Sequence, residues 1–545
     1  TLFLHCLALP RAISQTSPFW TVCVWVSLLA ISGQSQTISW IRQFGSLSDD
    51  LAGGVAVHTT GTYVGGQTCG ALPGQTSAGG CDAFLRRYDA NGTELWTRQF
   101  GTASYDIAGE ITIDATAVYV LGQTSGTLPG QVSAGGYDVF VRKYDASGSV
   151  VWTRQFGSSG FEATEGVVVD ATAIYLAGRT TGALPGQSFA GVFDAFLRRY
   201  DLNGTELWTR QFGTFSYDAA VDVAGDASGI YVAGFTSGTL PGQSSAGGHD
   251  VFVRKYDVSG NVVWTRQFGS SADETPEGVA LDTTGVYVIG WTFGALPGQT
   301  SAGTQDAFVR KYDANGNELW TRQFGTASED RVDGVAADAT GAYVAGQTCG
   351  ALPGQTSAGG CDTFVRKYDT GGSVVWTHQF GSPALEFAYD AAVDTTGLYA
   401  VGRTFGTLPG QNSVGFQDAF LVKFQVPVLL VTIDIKPGSF PNSINLGSNG
   451  TVPVAIFSTP APNFFDATAV NPTTVTLAGA NVALKGKGTP MASVQDVNGD
   501  GLLDLVVHVS TEALQLSETD TEAILEGQSF PGQAIRGTDS VRIVP

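Results

Sequence analysis

Short apolar runs alternate with turn-forming residues along most of the chain, and the alternation itself repeats. Counting from Ala52, one unit holds four runs: Gly54 to Val57, Tyr63 to Thr68, Asp82 to Tyr88 and Glu94 to Phe100. Thr60-Gly61, a long Pro-Gly segment and Asn91-Gly92 separate them, the last being a strong hairpin signal. Runs of this length predict four short antiparallel strands, labelled A to D in chain order.

The unit recurs at a fixed spacing of 56 residues. Trp40, Trp96, Trp152, Trp208, Trp264, Trp320 and Trp376 mark the D run, and Leu-Pro-Gly-Gln recurs from Leu72 to Leu408 with the same period. Self-similarity of this kind marks a repeat architecture, because one unit cannot bury its apolar face alone. The first Trp precedes the first A run, while the last C run, Asp418 to Phe424, has no D run after it. The ends are therefore offset by one strand, so Thr37 to Phe44 supplies the missing strand and closes a ring. An all-β, seven-bladed β-propeller of four-stranded blades over 37–426 is expected, rather than an open solenoid with polar caps. The period stops after Val426-Pro427-Val428, and residues 432–545 read as a small β-sandwich.

These residues carry a resemblance. Asp-Ala-Phe-Val-Arg-Lys-Tyr-Asp followed by Trp-Thr-Arg-Gln-Phe-Gly, with small variations in each copy, resembles the bacterial seven-bladed β-propeller (SBBP) repeat family over Thr37 to Phe424. The resemblance implies the propeller fold and a secreted or cell-surface location, and implies little about chemistry.

Composition narrows the function classes. Of 545 residues 72 are Gly and 14% are charged, which suits a turn-rich β-protein and excludes a coiled coil. A net charge of -21 argues against nucleic acid as a partner. Residues 1–36 hold no acid and an apolar run from Phe19 to Ile31, the layout of a signal peptide cleaved near Ser35. No comparable apolar stretch follows, so no membrane span is expected after cleavage, and a monomer is expected.

Candidate chemistry lies at variable or acidic stations. Asp50, Asp106, Glu162, Asp218, Glu274, Asp330 and Glu386 occupy one position of every D-to-A connection, near the expected channel mouth. The functional reading is a site for a cation or polyol; the plainer one is seven copies of one hydrogen bond to a backbone N–H. Trp291 and Phe293 could offer an aromatic platform, or simply fill space against the next blade. Cys69 with Cys81, and Cys349 with Cys361, flank two of the Leu-Pro-Gly-Gln loops; the other five blades have Cys at neither position. Both or neither predicts two local disulfides and an oxidising compartment.

The segment from Asp496 to Asp504 spaces Asp496, Asn498, Asp500, the Leu502 carbonyl and Asp504 as oxygen ligands for calcium. It resembles the calcium-binding β-hairpin of the integrin-type FG-GAP family. The expectation is a secreted or cell-surface, calcium-stabilised binding or adhesion protein, with an extracellular glycan or protein on the long-loop face. A lyase or hydrolase at the channel mouth and a surface-layer spacer are the alternatives. No catalytic motif is evident.

Overall fold

The computed structural model describes residues 37–425, 428–460, 465–486, 488–529 and 534–544. The expected signal peptide, with Cys6 and Cys23, lies outside them. Seven four-stranded antiparallel sheets occupy 37–425. The first comprises Asp50–His58, Gly61–Thr68, Asp82–Tyr88 and Glu94–Phe100, and five more repeat it. The seventh combines Glu386–Asp394, Gly397–Thr404 and Asp418–Gln425 with the N-terminal strand Ile38–Phe44, which pairs antiparallel with the Asp418 strand. Each A strand packs beside the A strand of the next sheet, and the A strand of the seventh packs beside that of the first. The sheets thus form a ring with the A strands innermost, a β-propeller.

The repeated Trp-Thr-Arg-Gln-Phe-Gly fastens each blade to its neighbours. The Trp264 indole N–H donates to the Ala314 carbonyl in the next blade's C-to-D turn at 3.1 Å, and Arg266 Nε donates to the Gly316 carbonyl at 2.7 Å. Gly316 has φ +78°, and a Cβ there would meet the Trp264 ring at 2.9 Å, so the turn needs glycine for both reasons. Phe268 enters the next blade's core edge-on to Phe308 and lies under the Arg310 guanidinium, 3.8 Å from the ring centre. The same fastening closes the ring: Arg42 Nε donates to Gly92 at 2.6 Å and Phe44 meets Phe84. His378 is the exception in the Arg series. Blade seven takes its D strand from the N-terminus and has no C-to-D turn to receive a guanidinium, and His378 packs on Phe424 instead.

In the C-terminal region, one sheet holds Ile433–Ile435, Thr451–Ile456, Ala492–Gln495 and Asp504–Ser510, and a second holds Leu429–Leu430, Val470–Leu477, Ala480–Asn481, Glu522–Ser529 and Ala534–Ser540. Val454 and Val507 from the first share one core with Leu477 and Leu525 from the second, which makes the region a β-sandwich.

Candidate functional site

The seven carboxylates expected at the channel mouth are enclosed. Each is the first residue of its A strand, which begins earlier than the apolar run suggests, and each is 0% exposed. Asp50 accepts the Ser46 N–H at 2.6 Å and its hydroxyl at 3.0 Å; Asp106, Asp218 and Asp330 do the same with Thr102, Thr214 and Thr326. Glu162, Glu274 and Glu386, one methylene longer, also take a hydroxyl from the last Thr of the B strand, as in Thr180 to Glu162 at 2.6 Å. Burial is the leading cause that raises the carboxyls of Asp50, Glu274 and Asp330 above the usual range. Their placement is that of a recurring turn lock. An enzyme acting through Asp218 and Asp330 would have to reach side chains closed off from solvent.

A second buried ring escaped the sequence reading. Asp82, Asp138, Asp194, Asp250, Asp306, Asp362 and Asp418 open the C strands. Each accepts the side-chain amide of the Gln in the Trp-Thr-Arg-Gln motif, as Asp82 does from Gln99 at 2.7 Å. The same Gln99 accepts the Leu72 N–H and pins the Leu-Pro-Gly-Gln loop. The Gly after the Phe sits between the two rings: a Cβ on Gly157 would lie 2.2 Å from Asp138 and 2.4 Å from Glu162. The signal was present, since Asp recurs there in all seven copies.

The carboxylates that do reach the axis come from a bulge. The register of every A strand slips once, between Ala52 and Gly54 in the first blade and at the matching place in the others. A bulge re-aims side chains and sits preferentially at barrel rims and active sites. Glu110, Glu165, Asp222, Glu277, Asp333 and Asp390 occupy this station in blades two to seven, and blade one offers only Gly53-Gly54. Four of the six, Glu110, Glu165, Glu277 and Asp333, line a cavity of about 260 Å³ with Leu51, Thr164, Val221 and Tyr389.

Their charge is poorly compensated. Glu165 pairs with Arg179 at 3.0 Å, and Glu277 accepts the Trp291 indole N–H at 2.8 Å. Asp222 and Asp390 accept backbone N–H groups of other blades, Val279 at 2.7 Å and Val55 at 2.8 Å. Burial, then repulsion from Asp390, Asp222 and Glu165, pushes the Glu110 carboxyl well above its usual range; burial and Asp333 do the same to Glu277. Burial raises Asp222 to about 8, and Asp333 and Asp390 to about 7.

Around this channel the long-loop face differs from blade to blade. Phe215 is 93% exposed, Leu47 88% and Phe416 75%, with Val132, Val192 and Val414 also exposed in these connections. One aromatic ladder runs between blades, Tyr137–Phe161–Phe193–Tyr217, with centroid steps of 5.4, 6.5 and 5.6 Å, and a second, Phe387–Phe405–Phe416, lies within blade seven. Trp291 meets Phe293 edge-on at 5.3 Å, and Arg331 lies over its ring at 4.9 Å, so the expected platform is already half occupied while Phe293 is exposed.

Both expected disulfides are present, Cys69–Cys81 and Cys349–Cys361, each spanning 12 residues. Thr68 pairs with Asp82 and Thr348 with Asp362, so each cysteine pair faces across the gap one step beyond the ladder. No helix among the described residues is long and apolar enough to cross a membrane.

The Asp496 loop joins Ala492–Gln495 to Asp504–Ser510. Asp496 accepts the N–H groups of Gly499 and Gly501, at 2.8 and 3.0 Å, and both glycines have positive φ. Asn498 and Asp500 are exposed; Asp504 is buried and accepts the N–H groups of Ser458 and Val497. The oxygen-rich donor set suits a hard cation. Among the described residues no three His, Cys, Asp or Glu side chains are gathered closely enough to hold a metal by themselves.

Fold and site together define a β-propeller with an acid-lined channel and a variable loop face. No family model matches the chain. It is similar to the regulatory protein FlaEY of Caulobacter vibrioides, 28% identical over 319 residues, covering 50% of this chain and 32% of that one. The chain therefore spans about a third of that relative's length. Among solved structures it is similar to the phage phi92 endosialidase, with a TM-score of 0.38 and 12% identity over 90% of this chain and 83% of that one. It is also similar to the parainfluenza virus 5 hemagglutinin-neuraminidase ectodomain, with a TM-score of 0.37 and 9% identity over 72% and 87%.

Proposed function

We propose that the protein is a secreted or cell-surface binding protein whose long-loop face docks an extracellular protein. One observation carries this reading: large apolar side chains, Phe215, Leu47 and Phe416 foremost, stand exposed in connections that a rigid ring holds in place. Exposed apolar groups gathered on one face mark interaction surfaces, and loops on a fixed scaffold are where binding residues usually sit. A protein fits better than a glycan, because Leu47, Val132, Val192 and Val414 are aliphatic and offer no flat ring to a sugar. The two disulfides and the resemblance to the SBBP repeat family support an extracytoplasmic location.

Calcium bound by Asp496, Asn498, Asp500, the Leu502 carbonyl and Asp504 would stiffen the C-terminal sandwich, since its loop joins two adjacent strands of one sheet. The buried carboxylates from Asp50 to Glu386 hold the scaffold that presents the loops, and Trp291 with Phe293 borders the docking face.

The test is a binding screen of the purified full chain against extracellular matrix proteins and glycans. Phe215→Ser with Phe416→Ser should abolish protein capture without shifting the melting temperature. Unchanged capture would remove the loop face from the account, and capture of glycans alone would replace the protein partner.

A further inference from the structure

We propose that the loop face takes up its partner as an extended basic segment, laid along an arc of aromatic rings from blade two to blade four; the inference rests on the docking reading above. Two stations alternate around this face, the residue before each A strand and the residue before each C strand, and parallel bridges such as Phe193 with Tyr217 join them across the seams. From blade two to blade four they hold Tyr105, Tyr137, Phe161, Phe193, Tyr217 and His249 in succession. The middle four form the ladder described above, and His249 continues the arc by stacking on Phe235 at 5.1 Å. Tyr105 and Tyr217 are exposed, and the three rings between them are half-buried. In the other blades no station holds an aromatic ring: Asp273 follows His249 at once, Glu329 lies two stations further on, and Asp49 stands beyond Cys81 at the other end.

Spacing and charge select the segment. Alternate residues of a polyproline II chain lie about 6.2 Å apart, two rises of about 3.1 Å, and the ladder steps are 5.4, 6.5 and 5.6 Å. A helix, straight and about 10 Å across, would leave an arc that turns with the ring after one or two steps. No Lys or Arg occurs in any D-to-A or B-to-C connection, whereas Asp49, Asp273 and Glu329 are exposed there. The face is therefore apolar and anionic in a protein of net charge -21, and its complement is apolar and cationic. The rings themselves attract such a charge. Arg179, which pairs with Glu165 of the channel, lies over Phe193 at 6.0 Å, so a guanidinium already rests on this ladder.

The probe is a fluorescein-labelled peptide of alternating Pro and Arg, with one of alternating Pro and Glu as its charge-reversed match, titrated into the full chain by fluorescence anisotropy. Wild type should bind the basic peptide and not the acidic one. Tyr217→Ser, which removes an exposed ring, should weaken binding at least about threefold, and Tyr217→Ser with Phe193→Ser about tenfold, because each ring withdraws a cation–π contact. These variants keep the net charge, so their loss of affinity separates the arc from general attraction to an acidic protein. Asp273→Asn with Glu329→Gln should weaken binding about threefold at low salt and flatten its salt dependence. Equal affinity for the two peptides, or Pro-Arg affinity unchanged in both aromatic variants, would overturn the proposal. Cellohexaose bound through Tyr217 in place of the peptide would overturn it in favour of a glycan. Protein capture lost in Phe215→Ser with Phe416→Ser but not competed by the Pro-Arg peptide would overturn the basic segment and leave the docking face in place. Capture indifferent to that pair would overturn the docking face and the segment with it.

Discussion

Two sets of carboxylates follow the ring of blades, and they behave in opposite ways. The set from Asp50 to Glu386 repeats at one spacing in all seven blades, is fully enclosed, and holds N–H and hydroxyl groups four residues back in its own chain. The set from Glu110 to Asp390 skips the first blade and alternates between two adjacent positions; Glu110, Glu165, Glu277 and Asp333 line the central cavity, while Asp222 and Asp390 hold backbone N–H groups of the neighbouring blade. In a repeat protein, then, constancy marks the frame, and departure from constancy marks where the frame has been put to use. A recurring Asp is first a turn lock; an acid that appears at a bulge, at either of two adjacent positions, needs another explanation.

The comparison can be broken most forcefully at the glycine between the two buried rings. Gly157→Ala forces a Cβ to within 2.4 Å of both Asp138 and Glu162, and should cost about 3 kcal/mol, read as the denaturant midpoint at unchanged slope. Replacing Cys69 and Cys81 by Ser opens a loop of 12 residues and should cost at most about 3 kcal/mol, checked by unfolding with and without reductant.

A gentler test uses pH. Burial raises Asp222 to about 8 and Asp333 and Asp390 to about 7 from an unfolded value of 3.8, so the folded protein binds these protons more tightly than the unfolded chain. Their contribution is fully present below the unfolded value and is lost as pH rises through the folded values. In chelator, the melting temperature should therefore fall between pH 5 and pH 8.5, and Glu277→Gln with Asp333→Asn should flatten the fall. The exposed turn carboxylates Asp89, Asp145, Asp201, Asp257 and Asp313 are lowered by hydrogen bonds from their own turns, and their contribution is lost only at more acid pH. A melting temperature that rises from pH 5 to 8.5 would mean that the channel acids are not frustrated. The smallest effect is expected on the loop face, where Phe215→Ser should change stability by less than about 0.5 kcal/mol while removing binding.

Much of the frame is legible in the chain because each blade repeats one set of packing needs. The C and D strands of the first blade run from Asp82 to Tyr88 and from Glu94 to Phe100, as their apolar runs suggest. The unpaired run before Asp50 does pair with Asp418–Gln425. The both-or-neither cysteines bond because they sit just past the end of a paired ladder. The channel was not legible, for a physical reason. A bulge lets either of two neighbouring residues turn to the axis, so Glu110 and Glu165 stand 55 residues apart and Glu165 and Asp222 stand 57 apart, and no single spacing collects them. In the Asp50 series the plainer reading holds, since each carboxylate accepts a backbone N–H four residues back. The A strand extends back to include it, and a strand residue paired with Thr68 has its side chain set by the sheet rather than by a loop.

The most direct measurement of the central claim is a paired unfolding experiment in chelator on Glu162→Gln and Glu277→Gln. Glu162 accepts three hydrogen bonds inside the frame, and its charge-neutral replacement should lower stability by about 2 kcal/mol. Glu277 faces other carboxylates, and its replacement should leave stability unchanged or raise it. Equal losses at both positions, or a loss confined to Glu277→Gln, would contradict the division of the two acid sets into frame and site.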